Sequence, residues 1–372
     1  MKENKKLKVL LCSPYSSKKV GGIGTWSKLL LDYADMQDNI DLSFLNTAFE
    51  LKGNIQSNKI FRIFLGSIDS IIIILKSLVK IFSFKPDVMH YTSSASYALL
   101  KDYIIANFCQ CFKVKFVIHY HCGRIPKILK NGGWEKKWLL RVSKKSHHVI
   151  VIDNKSFLVL RNILKEKVSY IPNPVSTEVL GSAINTNNTI EREIGRVVYA
   201  GHVIKAKGIF ELVEACVLIS SVKKLVICGP YLPEIKDSLI DISKKRDNGS
   251  WVKFKGEIKR EEVVEELKKS YIFALPSYTE GFPYAILEAM AMSCAIVATE
   301  VGAIPEMLDY KSDNPSGIAV KIGDVDSLKN AIAKLVNDKS LAIELGENGN
   351  KKLREKYTLE VIYPEYFTIW NS

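Results

Sequence analysis

Two hydrophobic patterns alternate along this chain. Short runs of aliphatic and β-branched residues recur at 7–11 (LKVLL), 87–91 (DVMHY), 115–121 (KFVIHYH), 148–152 (HVIVI) and 168–171 (VSYI), with longer stretches of helical spacing between them. A polar stretch, 181–195 (GSAINTNNTIEREIG), interrupts the series. It then resumes at 196–202 (RVVYAGH), 224–228 (KLVIC), 251–254 (WVKF), 271–276 (YIFALP) and 295–299 (AIVAT). Strands that are apolar on both faces need helices on both sides, and strand–helix alternation predicts parallel, doubly wound sheets. The pattern therefore predicts an α/β protein of two Rossmann-like domains: residues 1–180, a linker at 181–195, and residues 196–356. A last helix, 357–372, is expected to pack back toward the first domain. Each sheet should present its ligand loops beyond the carboxyl ends of its strands, so the two domains are expected to face each other across a cleft holding the active site.

The length of 372 residues exceeds a single ordinary domain, and 47% apolar with 25% charged residues is a folded, globular balance. The start, MKENKKLKVLLC, has no long apolar region, and the greasiest segment, 60–84, is broken by Arg62, Asp69, Lys76 and Lys80. Neither a secretion signal nor a transmembrane helix is expected. Seven scattered cysteines without a CxxC pair suggest free thiols in a reducing cytoplasm. Charge is divided unevenly: residues 1–180 hold 28 Lys and Arg against 13 Asp and Glu, and the rest hold 25 against 27. Such a split suits either a polyanion-facing domain or a solvated basic face. Nucleic acid is disfavoured, because no helix-turn-helix, zinc-finger spacing or RNP-like aromatic motif is present.

Three segments carry candidate chemistry. Gly21, Gly22 and Gly24 form a predicted loop before a helix from Thr25 to about Ala34, a place where backbone can approach an anion. The loop does not fit GxGxxG, because Ser27 holds the last position, so a redox dinucleotide is disfavoured. Residues 200–215 place Gly201, His202, Lys205, Lys207 and Gly208 between a strand and a helix, where cations can neutralise phosphates. Residues 277–308 set Glu280 in a loop and Glu288 in the second turn of a helix expected to begin at Pro283. The free N–H groups near Tyr284 and Ala285 could hold a phosphate, with a carboxylate on either side for sugar hydroxyls. His119 and His121 share one face at a strand end; no third zinc ligand accompanies them at suitable spacing. His147 and His148 are read as structural.

EGFPYAILEAM with its two glutamates, AGH followed by KAKG, VGAIPEML, SGIAVKIGDVDSLKNAI and IPNPV together resemble the retaining glycosyltransferases of family 4, which have the GT-B fold. The resemblance is dense over 171–336. It implies a nucleotide-sugar donor held mainly by the C-terminal domain, an acceptor held by the N-terminal domain, and neither cofactor nor catalytic metal. Carried onto this chain, Glu288 would bind ribose hydroxyls, Glu280 with the backbone of Gly281 and Phe282 would hold the donor sugar, and Lys207 would contact the diphosphate. His202 stands where the family usually has Arg, with Lys205 as compensation. The base would lie near Gly229 and the backbone after Phe254, the glycine loop would lean over the phosphates, and His121 would lie beside the sugar, with His119 as buried support.

The resulting expectation is a hexosyl transfer, with a UDP-sugar favoured, to a glycan or lipid-linked sugar in bacterial surface polysaccharide synthesis. A glycosidase is disfavoured by the phosphate-seeking loops. A GT-B nucleotide-sugar epimerase and a non-catalytic basic membrane-binding protein are the alternatives. Residues 59–85 and 134–145 could form amphipathic helices that either pack on the N-terminal sheet or attach the protein to the anionic inner face of the cell membrane.

Overall fold

The computed structural model describes residues 6–15, 22–49, 59–175, 177–184 and 191–372. The chain divides into two compact units, Met1–Pro174 with Ile362–Ser372, and Val175–Val361. The second begins earlier than the sequence pattern suggested. Residues 177–184 form a helix belonging to it, and its first strand starts at Glu193 inside the predicted linker.

The N-terminal unit contains strands β1 (Leu7–Ser13), β2 (Ile40–Asn46), β3 (Val88–Ser93), β4 (Lys115–Tyr120), β5 (His148–Val151) and β6 (Val168–Tyr170). They form one parallel sheet in the order β2-β1-β3-β4-β5-β6. Helices α1 (Gly22–Ala34), α2 (Lys59–Phe84), α3 (Ala98–Cys111), α4 (Ile125–Asn131), α5 (Gly133–Lys145) and α6 (Asn154–Leu164) connect them. Leu10, Met89, Tyr91, Phe116, Ile118 and Val149 are buried in its core. A buried aliphatic side chain of this kind contributes about 1.5–3 kcal/mol. Lys101, on α3, is buried too, held by Asp102 at 2.6 Å and by the Tyr91 hydroxyl, while Ser93 donates to the other Asp102 oxygen at 2.6 Å. This closed set of charges and hydroxyls fixes α3 against β3, with each buried polar group partnered.

The C-terminal unit contains β7 (Glu193–Ala200), β8 (Lys224–Cys228), β9 (Val252–Gly256), β10 (Ser270–Leu275), β11 (Ala295–Thr299) and β12 (Gly317–Val320), parallel in the order β12-β11-β10-β7-β8-β9. Its helices are α7 (Thr177–Ile184), α8 (Ile209–Val217), α9 (Pro233–Ser243), α10 (Arg260–Lys268), α11 (Tyr284–Ala291), α12 (Ile304–Leu308), α13 (Val325–Asn337) and α14 (Lys339–Lys356). The last helix, α15 (Leu359–Asn371), carries the chain from the second unit into the first. The pattern of apolar runs missed β2 and β12. Both are edge strands, and neither shows the long apolar run that burial on both faces imposes on a central strand.

Candidate functional site

In the C-terminal sheet, strands are added in one direction from β7 to β9 and in the other from β10 to β12. Between β7 and β10 lies the switch point, where α/β sheets gather ligands beyond the carboxyl ends of their strands. After β7 the chain passes through a 3-10 turn, Lys205–Lys207, and after β10 through residues 276–283. The two loops are tied together: Tyr278 N–H donates to the Ala206 carbonyl at 3.0 Å, and Lys207 Nζ donates to Glu280 Oε1 at 2.7 Å. Ser277 Oγ donates to the same carboxylate oxygen at 2.6 Å. The loop after β11 clamps this segment from the other side, with Ala303 N–H donating to the Gly281 carbonyl at 2.8 Å. Gly302 is left-handed at φ +56°, and a β-carbon there would lie 2.4 Å from the Glu280 carbonyl oxygen, so only glycine permits the contact. Across β8, Gly229 N–H donates to the Gly256 carbonyl at 2.7 Å. A β-carbon on Gly229 would sit 1.9 Å from the Gly201 oxygen, which keeps the loops after β7, β8 and β9 close together.

Helix α11 starts one residue later than expected. Pro283, with ψ 119°, is its extended N-cap instead of its first helical residue, and no side chain caps the helix. The first turn, with Tyr284 and Ala285, thus carries no side-chain cap, and a helix N-terminus of this kind favours an anion. Glu288, one turn further on, is buried and accepts from Arg260 Nε at 2.7 Å. Burial raises its carboxyl above the ordinary range, partly opposed by the Arg260 guanidinium. Arg260 carried no signal in the sequence, standing 28 residues away among other charged residues. The Phe282 ring is buried edge-on to Tyr357, at 5.5 Å between centroids, so its side chain is structural. His202 and Lys205 are exposed, and the His202 carbonyl accepts from the Tyr199 hydroxyl at 2.8 Å. The assembly is thus one half-buried lysine, two buried-side carboxylates and an uncapped helix end around one set of strand ends.

The N-terminal unit holds the other candidates. Gly21 lies outside the described residues, while Gly22 and Gly24 stand in the first turn of α1 instead of in a loop. A β-carbon on Gly24 would come no closer than 3.9 Å to the Pro14 oxygen, so no backbone crowding requires glycine there. Strand β4 ends at Tyr120, with His119 inside it and His121 just beyond, their rings 4.0 Å apart. His119 is fully buried and meets a third imidazole that the sequence reading passed over, His90 on β3, with His90 Nε2 and His119 Nδ1 3.2 Å apart. Trp26 packs against all three rings, and Tyr366 and Trp370 of α15 complete the cluster. Burial holds the His90 and His121 imidazoles down at about 3 and His119 well below its ordinary value. Among the described residues, no group of three or more His, Cys, Asp or Glu is placed to hold a metal ion. His148 pairs with Ser169 at 2.9 Å and His147 lies 3.4 Å from the Ser372 hydroxyl, both at the opposite end of their strand.

Residues 185–352 match the family model described as "Glycosyl transferases group 1". The capsular polysaccharide biosynthesis glycosyltransferase CapM of Staphylococcus aureus is 27% identical over 197 residues, 50% of this chain and 50% of CapM. The chain thus matches about half the length of that curated relative. Among solved structures, sucrose-phosphate synthase from Thermosynechococcus elongatus superposes with a TM-score of 0.75 at 17% identity, covering 98% of both chains. HepE from Anabaena, solved in complex with UDP, does so with a TM-score of 0.69 at 15% identity, covering 97% of this chain and 98% of that one. These likenesses extend the fold beyond the matched segment to both parallel sheets. Residues 185–352 are thus similar to the glycosyl transferases group 1 family, in a chain whose two Rossmann-like units have the GT-B fold.

Proposed function

We propose that this protein is a retaining glycosyltransferase that moves a hexosyl group from a nucleotide-sugar, a UDP-sugar by preference, to a glycan or lipid-linked sugar acceptor in surface polysaccharide synthesis. The observation that carries this reading is the Lys207–Glu280 pair at the switch point, with Glu288 one turn inside the helix that starts there. In this reading Glu288 accepts the two ribose hydroxyls through lone pairs not used by Arg260. The diphosphate lies at the amide end of α11 beside Lys207, and Glu280 with the Gly281 and Phe282 backbone receives the sugar hydroxyls. As the anomeric carbon–oxygen bond breaks, negative charge grows on the departing diphosphate. Lys207, held in place by Glu280, and the α11 amides are placed to stabilise it, with the exposed Lys205 as a further cation. The family resemblance assigns His121 to the sugar as well. The role of CapM in capsule synthesis and the UDP in HepE support the choice of acceptor and donor classes.

The first test is a thermal-shift panel of UDP, GDP, ADP and their sugar conjugates. A nucleotide at 100 times its Kd adds about 2.7 kcal/mol of stability, easily read as a rise in Tm. No response to any of them overturns the reading. With the responding donor, EDTA is expected to leave turnover unchanged, since the leaving-group charge is met by lysines and amides; strict dependence on Mn²⁺ would contradict that assignment.

The same reading places the protein on the anionic inner face of the cell membrane. No helix among the described residues is long and apolar enough to cross a bilayer. Helix α2 instead exposes Phe64, Ile71, Leu75, Val79 and Phe82, each more than half exposed and spaced along one face. The residues at 134–145 suit this role less well than their sequence suggested. Trp138 packs on the core, against Tyr103 and under Arg141, and Trp134 stacks on Tyr97 at 4.9 Å.

A further inference from the structure

Two aromatic rings of the N-terminal unit stand out to solvent beside the carboxyl ends of β3 and β4. Tyr97 is 76% exposed and Trp134 42% exposed, and their rings stack 26° from parallel with 4.9 Å between centroids. A large apolar surface left in water is the informative exception on a protein. The chain holds both rings there through unusual backbone. Ala95 and Ser96, shortly before Tyr97, are left-handed at φ 62° and 63°, although neither is glycine. Residues with a β-carbon rarely adopt that region, and two in succession persist only where the surroundings impose them. The bonds that do so are present: Ala95 N–H donates to Ser93 Oγ at 3.1 Å, and Ser96 N–H donates to Glu135 Oε1 at 2.9 Å. Gly132 and Gly133, left-handed at φ 74° and 77°, turn the chain between α4 and α5 immediately before Trp134. A β-carbon at either glycine would meet nothing within 4 Å, so the turn itself calls for glycine there, not close packing.

Glu135 joins the parts of this surface. It follows Trp134 in the chain, bonds the residue before Tyr97, and is gripped by Arg124 from the loop after β4, with Arg124 Nη2 2.8 Å from Oε1 and Nη1 3.3 Å from Oε2. This two-pronged pair uses two of the five guanidinium donors and leaves three for another partner, on a side chain that is 41% exposed. An apolar plate with fixed donors beside it suits a sugar. A pyranose has a face of C–H groups that packs on an aromatic ring, and a rim of hydroxyls that take hydrogen bonds. Glu135 already neutralises Arg124, which favours uncharged hydroxyls over an anionic headgroup. We propose that Tyr97, Trp134 and Arg124 form a saccharide-binding site of the N-terminal unit, the stacked rings receiving a pyranose face and Arg124 its hydroxyls, with Glu135 as the positioning residue. That the bound saccharide is the acceptor of a transfer rests on the glycosyltransferase reading above; its binding here does not.

The test uses the full chain and saturation-transfer NMR with the methyl glycosides of glucose, galactose, mannose and N-acetylglucosamine, beside Tm measurements with the nucleotide panel. At least one glycoside should receive saturation from the protein, most strongly at its ring C–H protons. Tyr97→Leu and Trp134→Leu keep an apolar side chain and remove the ring. Each should weaken binding of that glycoside about tenfold, whereas Tyr97→Phe should retain it. The Tm of these variants should stay close to that of the wild type, because exposed positions contribute little to folding. Absence of saturation in every glycoside, or equal binding by the wild type and the two Leu variants, overturns the proposal. Loss of flotation with phosphatidylglycerol vesicles in the Leu variants, with no glycoside bound by the wild type, assigns the rings to a lipid surface and overturns it as well. If a nucleotide raises the Tm and no glycoside binds, this site falls and the glycosyltransferase reading stands. If a glycoside binds through the rings and no nucleotide raises the Tm, the site stands and the glycosyltransferase reading falls.

Discussion

Glu288 and Glu280 are alike in type and differ in surroundings, and their expected mutant effects separate accordingly. Glu288 is buried, with Arg260 as its charged partner, so replacement by Ala removes hydrogen bonds to a charged acceptor worth about 1.5–3 kcal/mol each. Glu288→Ala should therefore weaken UDP binding by at least tenfold in calorimetry, and wild-type affinity would remove it from the nucleotide site. Arg260 also holds the Glu288 carboxyl below where burial alone would put it. Arg260→Ala should thus make donor affinity begin to fall at a higher pH than in the wild type, because the carboxyl protonates earlier once its cation is gone. Glu280→Ala and His121→Ala should instead reduce kcat while sparing UDP affinity, since both are assigned to the sugar. Loss of UDP binding in these two variants, with turnover per bound donor preserved, would reverse the assignment. Six of the seven thiols are buried, and burial raises Cys109, Cys122, Cys216, Cys228 and Cys294 to about 12, so they stay protonated and inert.

At the scale of elements, α2 departs most from a helix explained by its own unit. Its buried face, with Ile73 and Ile81, packs on the sheet, yet its other face presents apolar side chains. Replacement of Leu75, Val79 and Phe82 by Ser should leave the Tm nearly unchanged, since exposed positions contribute little to folding. It should also reduce flotation with phosphatidylglycerol vesicles. Binding of the wild type should exceed that to neutral vesicles and weaken with salt, given the basic surplus of the first half. Equal recovery with neutral and anionic vesicles would leave a soluble acceptor as the better assignment. Helix α11 was legible down to its second-turn glutamate, but Pro283 was displaced by one residue. Proline fits the N-cap as well as the first helical turn, because neither position needs an N–H, and the sequence does not distinguish them.

On the scale of the whole molecule, the two units should respond differently to acid. The N-terminal unit buries His90 and His119 as neutral rings beside His121, amid uncharged Trp26, Tyr366 and Trp370. The folded values are depressed while the unfolded ones stay near 6.5, so the unfolded chain binds more protons as pH falls. His90 and His121 thus each lower stability as pH falls from 6.5 toward 3, and His119 acts in the same direction. Acid should unfold the N-terminal unit first. Four of the five tryptophans, Trp26, Trp134, Trp138 and Trp370, belong to that unit, so intrinsic fluorescence will follow it. A pH-independent signal between 6.5 and 4 would mean that the imidazoles are not held neutral.

What this sequence determines by itself is what neighbouring residues enforce on one another. Runs of aliphatic residues make the central strands, the uneven charge of the two halves is fixed by composition, and Glu280 and Glu288 are set at a loop and a helix turn by eight residues of local geometry. The tertiary structure alone decides which distant groups meet. Glu280 finds Lys207 across 73 residues, Glu288 finds Arg260 across 28, and Trp370 reaches His90 across 280. Periodicity reports which face of an element is buried and is silent on what covers it, because that depends on strand order. Strand order is what brings the loops after β7 and β10 to one end of one sheet, and what sets β3 beside β4 so that His90 lies against His119.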